Sequence, residues 1–358
     1  MSSLRLSRRL LAFVSLCVYV STVCCGLGQE PFQVKFRLVA DKIVVPVTIN
    51  GAGPYDFLLD TGATDTIVDR KLAEGLHLPL AGKMTVKTAQ GDVTAPVVDI
   101  DSLSMRGAIV RRLTVVSVDR YANMLPNVRG SLGEDFLQNF DLFLDNRRHL
   151  IQLESGTGQL ADMLTGEHMP LSLNGSYEHE PTRNRLVVIA NIPGNKNLKL
   201  QLDSGTARIL LFSKLNQPSL VTEEWNINFE GGIFGSSMVA DVQTIRHLQL
   251  GHKTLPDLAV LVARGNIPPR DTDGLLPTSL FRSIFISHSG KFVILDPSTN
   301  ATLRQSEPAP HPDADISVVR SLQTESFPRI SPLCSGGSES TSSFANHALV
   351  GVVLSRDK

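Results

Sequence analysis

Hydrophobic and polar positions alternate along this chain in short runs. Val44-Val45-Pro46-Val47-Thr48-Ile49 and Leu113-Thr114-Val115-Val116-Ser117-Val118 combine β-branched residues with a period of two, the pattern of a half-buried strand. Leu186-Val187-Val188-Ile189-Ala190 and Phe292-Val293-Ile294-Leu295 carry the same pattern into the second half. Turn dipeptides such as Asn50-Gly51 and Pro193-Gly194 punctuate the runs. Thr64 to Leu76 differs: Ile67, Leu72, Ala73 and Leu76 predict one short helix. The pattern predicts an all-β molecule with a few short helices.

One tripeptide occurs twice at the end of such a run. Asp60-Thr61-Gly62 follows Phe57-Leu58-Leu59, and Asp203-Ser204-Gly205 follows Leu200-Gln201-Leu202, 143 residues later. The context repeats too. Gly51 and Gly194 each lie nine residues before their aspartate, and Gly130 and Gly274 are 144 apart. A single Asp-Thr/Ser-Gly is an ordinary tight turn. Three landmarks at offsets of 143, 143 and 144 are an internal duplication. Two such turns at strand ends can bring two carboxylates face to face. Like charges that close cannot both ionise, so the pair shares one proton and can activate a water for hydrolysis of a peptide bond.

The two halves resemble the two lobes of a pepsin-like or retropepsin-like aspartic protease. Phe57-Leu58-Leu59-Asp60-Thr61-Gly62-Ala63-Thr64 is similar to the retropepsin signature. Gly130-Ser131-Leu132-Gly133-Glu134-Asp135-Phe136-Leu137 resembles the family's second hallmark, an apolar strand, a Gly and a short helix. Asp273-Gly274-Leu275-Leu276-Pro277-Thr278-Ser279-Leu280-Phe281 repeats it, with Pro277 where Gly133 stands in the first copy. The resemblance spans about residues 34 to 300. It implies a bilobal acid-protease (pepsin-like) fold of two homologous β-barrel-like lobes.

The resemblance also implies roles. Asp60 and Asp203 form the catalytic dyad, one removing a proton from water while the other donates to the scissile carbonyl. No metal, cofactor or covalent intermediate is called for. Thr61 and Ser204 are expected to brace the turns with hydroxyl hydrogen bonds, and Gly62 and Gly205 to let backbone N–H groups reach the carboxylates. The third residue after each aspartate is Ala63 in the first half and Thr206 in the second. A Thr206 hydroxyl is expected on an outer carboxylate oxygen, and Ala63 offers none, so a less acidic optimum than a pepsin's follows. A flap is expected at Ala89, Gln90 and Gly91, and a similar one near Glu230-Gly231-Gly232-Ile233-Phe234-Gly235. Pepsins place a Tyr on the first hairpin; here Gln90 is expected to take part of that role.

Composition narrows the alternatives. The 358 residues are 42% hydrophobic and carry a formal net charge of −1, which suits two cores and gives a nucleic-acid partner no electrostatic support. There is no His-Glu-x-x-His, no Gly-x-Ser-x-Gly and no phosphate-binding Lys loop. The nine His are scattered and read as surface or satisfied polar residues.

Residues 1–28 read as a signal peptide. Arg5, Arg8 and Arg9 precede an apolar stretch from Leu10 to Val23, too short for a membrane span. Arg8-Arg9 also fits a twin-arginine export signal, and Cys24 or Cys25 is a candidate lipid anchor. Beyond the signal only Cys334 remains, so no intrachain disulfide is expected, closer to a retropepsin-type or bacterial enzyme than to animal pepsins. Few residues separate the signal from the first strand, and activity without removal of a long prosegment is expected.

The expected division is 1–28 signal, 29–160 first lobe, 161–303 second lobe, and 304–358 a disordered Ser/Pro-rich tail. Glu154 to Glu167, polar with three glycines, is the expected linker. The function read from the chain is a secreted or periplasmic monomeric aspartic endopeptidase acting on peptides or proteins, without stable membrane insertion. The alternative is a catalytically quiet peptide-binding or inhibitory protein on the same scaffold.

Overall fold

The computed structural model describes residues 31–88, 91–119, 125, 127–155, 159–172, 185–192, 195–212, 221–230, 237–264, 271–299 and 351–355. Strands dominate, as the alternating pattern predicts. In the first half they are β1 (Phe32–Lys35), β2 (Arg37–Val39), β3 (Lys42–Ile49), β4 (Ala52–Leu59), β5 (Ile67–Asp69) and β6 (Leu80–Thr88). β7 (Gly91–Met105), β8 (Ala108–Val118), β9 (Val128–Leu132), β10 (Asp141–Asp145) and β11 (Leu150–Glu154) complete it. Two short strands, β12 (Leu164–Thr165) and β13 (Met169–Pro170), follow. The second half holds β14 (Val187–Ile192), β15 (Asn195–Asp203), β16 (Leu210–Leu211), β17 (Val221–Glu230), β18 (Ser237–Ile245) and β19 (Gln249–Leu250). Then come β20 (Lys253–Thr254), β21 (Leu258–Ala263), β22 (Gly274–Pro277), β23 (Ser283–Ser287), β24 (Phe292–Leu295), β25 (Ser298–Thr299) and β26 (Gly351–Ser355). The helices are α1 (Arg70–Gly75), α2 (Glu134–Leu137), α3 (Gln159–Met163) and one 3₁₀ turn, Thr278–Leu280.

The duplication in the sequence is a duplication in topology. The first half forms an eight-stranded sheet in the order β2-β3-β4-β9-β5-β8-β7-β6. The second forms a ten-stranded sheet, β20-β19-β14-β15-β22-β16-β21-β18-β17-β26. In each, the strand leading to Asp-Thr/Ser-Gly lies parallel to a later strand: Leu59 faces Leu132, and Leu202 faces Leu276. The later strand then pairs antiparallel with the short strand that follows the turn, β5 in one half and β16 in the other. This close crossing requires glycine. A Cβ on Gly130 would lie 2.2 Å from the Ile67 carbonyl, and one on Gly274 2.4 Å from that of Leu210.

A third sheet joins the halves. Its order is β1-β11-β10-β23-β24-β13, so β10 of the first half pairs antiparallel with β23 of the second, Leu142 opposite Ile286 and Leu144 opposite Ile284. All four side chains are fully buried. The main apolar core therefore continues from one half into the other. Each such side chain contributes about 1.5–3 kcal/mol on burial.

Three expectations are corrected here. The helix read over 64–76 is only α1. Ile67 and Val68 first pair as β5 with β8 and β9, because β-branched residues beside two open edges gain more as strand. Asp69 then caps the helix, its Oδ1 accepting from Leu72 N–H at 3.2 Å. The described part of the expected linker is ordered. The Glu154 carboxylate accepts from Gln159 and Leu160 N–H at 2.9 and 2.8 Å, which starts α3. Leu160 and Leu164 then bury against Phe285 and Ile294, and α3 spans the expected lobe boundary. Within the tail, residues 351–355 are strand, β26, paired antiparallel with β17.

Among the described residues, no helix is long and apolar enough to cross a membrane. The signal region, Cys24 and Cys25, Cys334 and the rest of the tail lie outside the described residues.

Candidate active site

β4 and β15 end side by side and deliver their aspartates to one point. Asp60 follows β4, with its N–H held by the Leu132 carbonyl at 3.0 Å. Asp203 is the last residue of β15 and is buried. The two carboxyl groups lie close enough to act on each other's ionisation. Each also packs on the glycine of the opposite turn. A Cβ on Gly62 would lie 2.4 Å from Asp203 Cγ, and one on Gly205 2.7 Å from Asp60 Oδ1. Glycine is needed at both places because the other half's carboxylate fills the space a side chain would take. Each glycine N–H donates to its own turn's aspartate, Gly62 to Asp60 Oδ1 at 3.1 Å and Gly205 to Asp203 Oδ1 at 2.6 Å.

Thr61 and Ser204 link the turns reciprocally. Thr61 N–H donates to Ser204 Oγ and Ser204 N–H to Thr61 Oγ1, both at 3.0 Å. Each hydroxyl then donates to a backbone carbonyl across the junction, Thr61 Oγ1 to Leu202 O at 3.1 Å and Ser204 Oγ to Leu59 O at 2.6 Å. Both side chains are buried, so water cannot replace these partners. Ser204→Ala strands the Thr61 N–H and the Leu59 carbonyl, at about 1–3 kcal/mol for each unsatisfied group. Denaturant melts should show a loss of about 2–4 kcal/mol for Ser204→Ala. Ser204→Thr, which keeps the hydroxyl, should lose far less.

Thr206 does not act through its hydroxyl. That group donates to the Arg208 carbonyl at 3.1 Å, and it is the Thr206 N–H that bonds the Asp203 carboxylate. A turn closing on Arg208 O satisfies the hydroxyl locally. Of the flap residues, Ala89 and Gln90 lie outside the described residues. Gly91 opens β7 and pairs with Thr88 of β6. Residues 231–235 of the second expected flap also lie outside the described residues, and Glu230 before them pairs with Ser237.

Two groups that the sequence reading passed over sit against the dyad. Gln201 Nε2 donates to the Gly62 carbonyl at 2.8 Å. Lys42 Nζ donates to the Gly205 carbonyl. Each turn's glycine carbonyl is thus held by a side chain from the other half. Lys42 opens β3 and is partly buried. The glycine carbonyls were no guide to it, since a lysine beginning a strand reads as a solvated end.

The electrostatics follow from burial. Desolvation pushes Asp60 up, opposed by the Gly62 N–H, the Lys42 charge, the Ala63 N–H and the Asp203 carboxyl. Desolvation, then the Asp60 charge, pushes Asp203 up to about 7, against Lys42 and the Gly205 and Thr206 N–H groups. A pair so placed keeps one shared proton over a wide pH range.

Behind the dyad, α2 carries two more acids, Glu134 buried and Asp135 partly buried. Glu134 Oε2 meets His288 Nε2 at 2.9 Å, and His288 Nδ1 meets the Phe140 carbonyl at 2.6 Å. Asp135 accepts from Thr66 N–H and Thr66 Oγ1 at 2.9 and 2.6 Å and from Phe136 N–H at 2.8 Å. Burial still raises Asp135 to about 6, from an ordinary 3.8. Its folded form holds a proton that the unfolded form releases. The stabilisation is therefore complete below about pH 4 and lost as pH rises through 6, by about 3 kcal/mol. Melting temperature should fall between pH 4 and 7, and Asp135→Asn should flatten that slope.

A family model described as aspartyl protease matches residues 45–136. The match runs from within β3 to within α2 and so includes Asp60-Thr61-Gly62 and the Gly130–Gly133 crossing. A comparison with curated proteins gave no match. The match supports an aspartyl protease family for the chain and, with it, a protease-type hydrolase acting on peptide substrates.

Proposed function

We propose that this protein is an exported aspartic endopeptidase in which Asp60 and Asp203 share one proton and activate a water between them. The observation that carries this reading is the convergence of the two carboxyl groups, each seated on the glycine of the opposite turn. The match of residues 45–136 to an aspartyl protease family supports it. In this reading the ionised member takes a proton from the attacking water. The protonated member donates to the scissile carbonyl oxygen. The Thr61–Ser204 brace fixes the distance between them. The β6–β7 hairpin closes over an extended peptide lying between the halves. Export rests on the sequence alone, as do the boundaries at residues 28 and 303 and the monomeric state.

The pH range follows from the dyad. Activity requires one proton on the pair. It fails in acid as the second carboxylate protonates, above the ordinary aspartate value of 3.8 because burial raises Asp60. It fails in base as the shared proton leaves, near 7. A bell-shaped kcat/KM with its maximum between about pH 4 and 7 is expected. The test is cleavage of a mixed peptide library from pH 3 to 8 by the chain lacking residues 1–28, with and without a statine-type transition-state analogue. Cleavage that the analogue blocks supports the reading. A folded protein that cuts nothing at any pH, yet binds peptides, establishes the quiet scaffold instead.

A further inference from the structure

Lys42 stands in an unusual place. The dyad and the charged groups around it come from four places in the fold. Lys42 comes from the start of β3, Glu134 from α2, and the two aspartates from the turns after β4 and β15. Facing Lys42 are Asp203, Asp60 and its neighbour Asp41. Glu134 is itself closed off by His288, and Asp135 lies beside it. Among the described residues, Lys42 is the one cation that acts on both aspartates of the dyad. It belongs to the first half, yet its hydrogen bond goes to the second, to the carbonyl of the residue two places after Asp203.

Two physical consequences follow. A charge-assisted bond from Nζ to the Gly205 carbonyl fixes the Asp203-Ser204-Gly205 turn from outside. A positive charge beside two carboxyl groups favours the ionised member of the pair. Burial alone would drive both carboxyls neutral, and a dyad with two protons cannot deprotonate water. Gln201 shows the contrast. It holds the Gly62 carbonyl in the same manner but brings no charge.

We propose that Lys42 is a positioning residue of the dyad that anchors the Gly205 carbonyl across the lobe junction and supplies the positive charge that keeps one carboxylate ionised in mildly acidic solution. The inference rests on the reading of Asp60 and Asp203 as the catalytic pair. It predicts that the working pH range of this protein is set from the first half's β3 strand as well as from the aspartate turns.

Three substitutions separate the two roles. Lys42→Gln keeps a donor for Gly205 and removes the charge. Lys42→Met removes both. Lys42→Arg keeps the charge. Removing the cation destabilises the carboxylate form, so both limbs of the kcat/KM profile should move to higher pH, by about one unit in Lys42→Gln. At pH 4.5 that costs about tenfold in kcat/KM where the acid limb governs. Lys42→Arg should hold the wild-type limbs. Lys42→Met should show the same shift with a further loss at every pH, because the turn is no longer anchored. The second readout needs no turnover. Carbon-13 titration of the aspartate carboxyls, assigned with Asp60→Asn and Asp203→Asn, should show the dyad's proton uptake at higher pH in Lys42→Gln than in the parent.

The outcomes separate the two readings. A titration shift in a protein that cleaves nothing upholds the role of Lys42 and sinks the peptidase reading. An active peptidase whose pH limbs and carboxyl titration are unchanged in Lys42→Gln overturns the role of Lys42. A loss of activity that is uniform with pH in both Lys42→Gln and Lys42→Met also overturns it, since that is what a purely structural contact would give.

Discussion

Asp60→Asn and Asp203→Asn each lower kcat/KM for peptide cleavage by at least about 10³-fold, equal to about 4 kcal/mol of lost transition-state stabilisation. An amide can neither take the proton of water nor hand one to a carbonyl at this position, so the pair loses both halves of its chemistry. The fold survives either change. Asn matches Asp in shape, and its carbonyl oxygen still accepts from the turn's glycine N–H. Stability carries a second signature. Asp203 sits at about 7 in the folded protein against an ordinary 3.8, so above pH 7 its buried charge works against folding. Asp203→Asn removes that cost and should melt no lower than the parent at pH 8, while being inactive at every pH. Circular dichroism melts beside the peptide assay decide the matter. Residual activity above about 1% of the parent in either variant would rule out this pair as the catalytic centre.

The architecture was legible because it is written twice. The 143-residue offset of the two Asp-Thr/Ser-Gly turns and the 144-residue offset of Gly130 and Gly274 survive as one strand order repeated in two sheets. The alternating runs at 44–49 and 186–190 are β3 and most of β14 because a period of two is a local property. What the sequence did not disclose depends on distant partners. Ile67 and Val68 carry a helix-like spacing, but two strand edges from residues 116–118 and 130–131 capture them. Glu154 looks like linker until its carboxylate caps α3. Lys42 and Gln201 have no motif, since each holds a backbone carbonyl more than 130 residues away. His288 read as one satisfied histidine among nine. It is satisfied, but by Glu134, 154 residues earlier, and no spacing rule joins them.

That last pair carries the largest expected effect on stability. His288→Ala should destabilise the protein by about 3–5 kcal/mol at pH 7, the cost of leaving one member of a buried ion pair alone. The ring follows β23 of the second half, and Glu134 opens α2 of the first, so the contact ties the halves together behind the dyad. The Phe140 carbonyl only accepts, so His288 Nδ1 carries a proton. The second proton lies between Nε2 and Glu134 Oε2, and the pair is neutral overall wherever it sits.

Burial works to lower His288, but the hydrogen bond and charge of Glu134 outweigh it and raise it above 6.5. Burial raises Glu134, with His288 opposing and the Asp60 charge adding to the rise. Both raised groups hold protons that the unfolded chain gives up. The stability they confer is present in acid and is lost as pH rises through their folded values. Glu134 Oε1 has no hydrogen-bond partner, so nothing else compensates its charge once the ring is gone.

In His288→Ala the carboxyl is uncharged in acid and strongly unfavourable when ionised. The deficit should therefore shrink as pH falls from 8 to 5. In a double-mutant cycle, Glu134→Gln should recover a large part of the loss, because an amide brings no charge to bury. Denaturant melts of the four proteins at pH 5 and 8 test both statements. A deficit that is the same at the two pH values, or one that Glu134→Gln leaves untouched, would mean that His288 fills space rather than holding a proton. A proton held there matters to the site in front of it. An ionised, unpaired Glu134 would stand in the field of Asp60 and push the dyad toward its doubly protonated, inactive form.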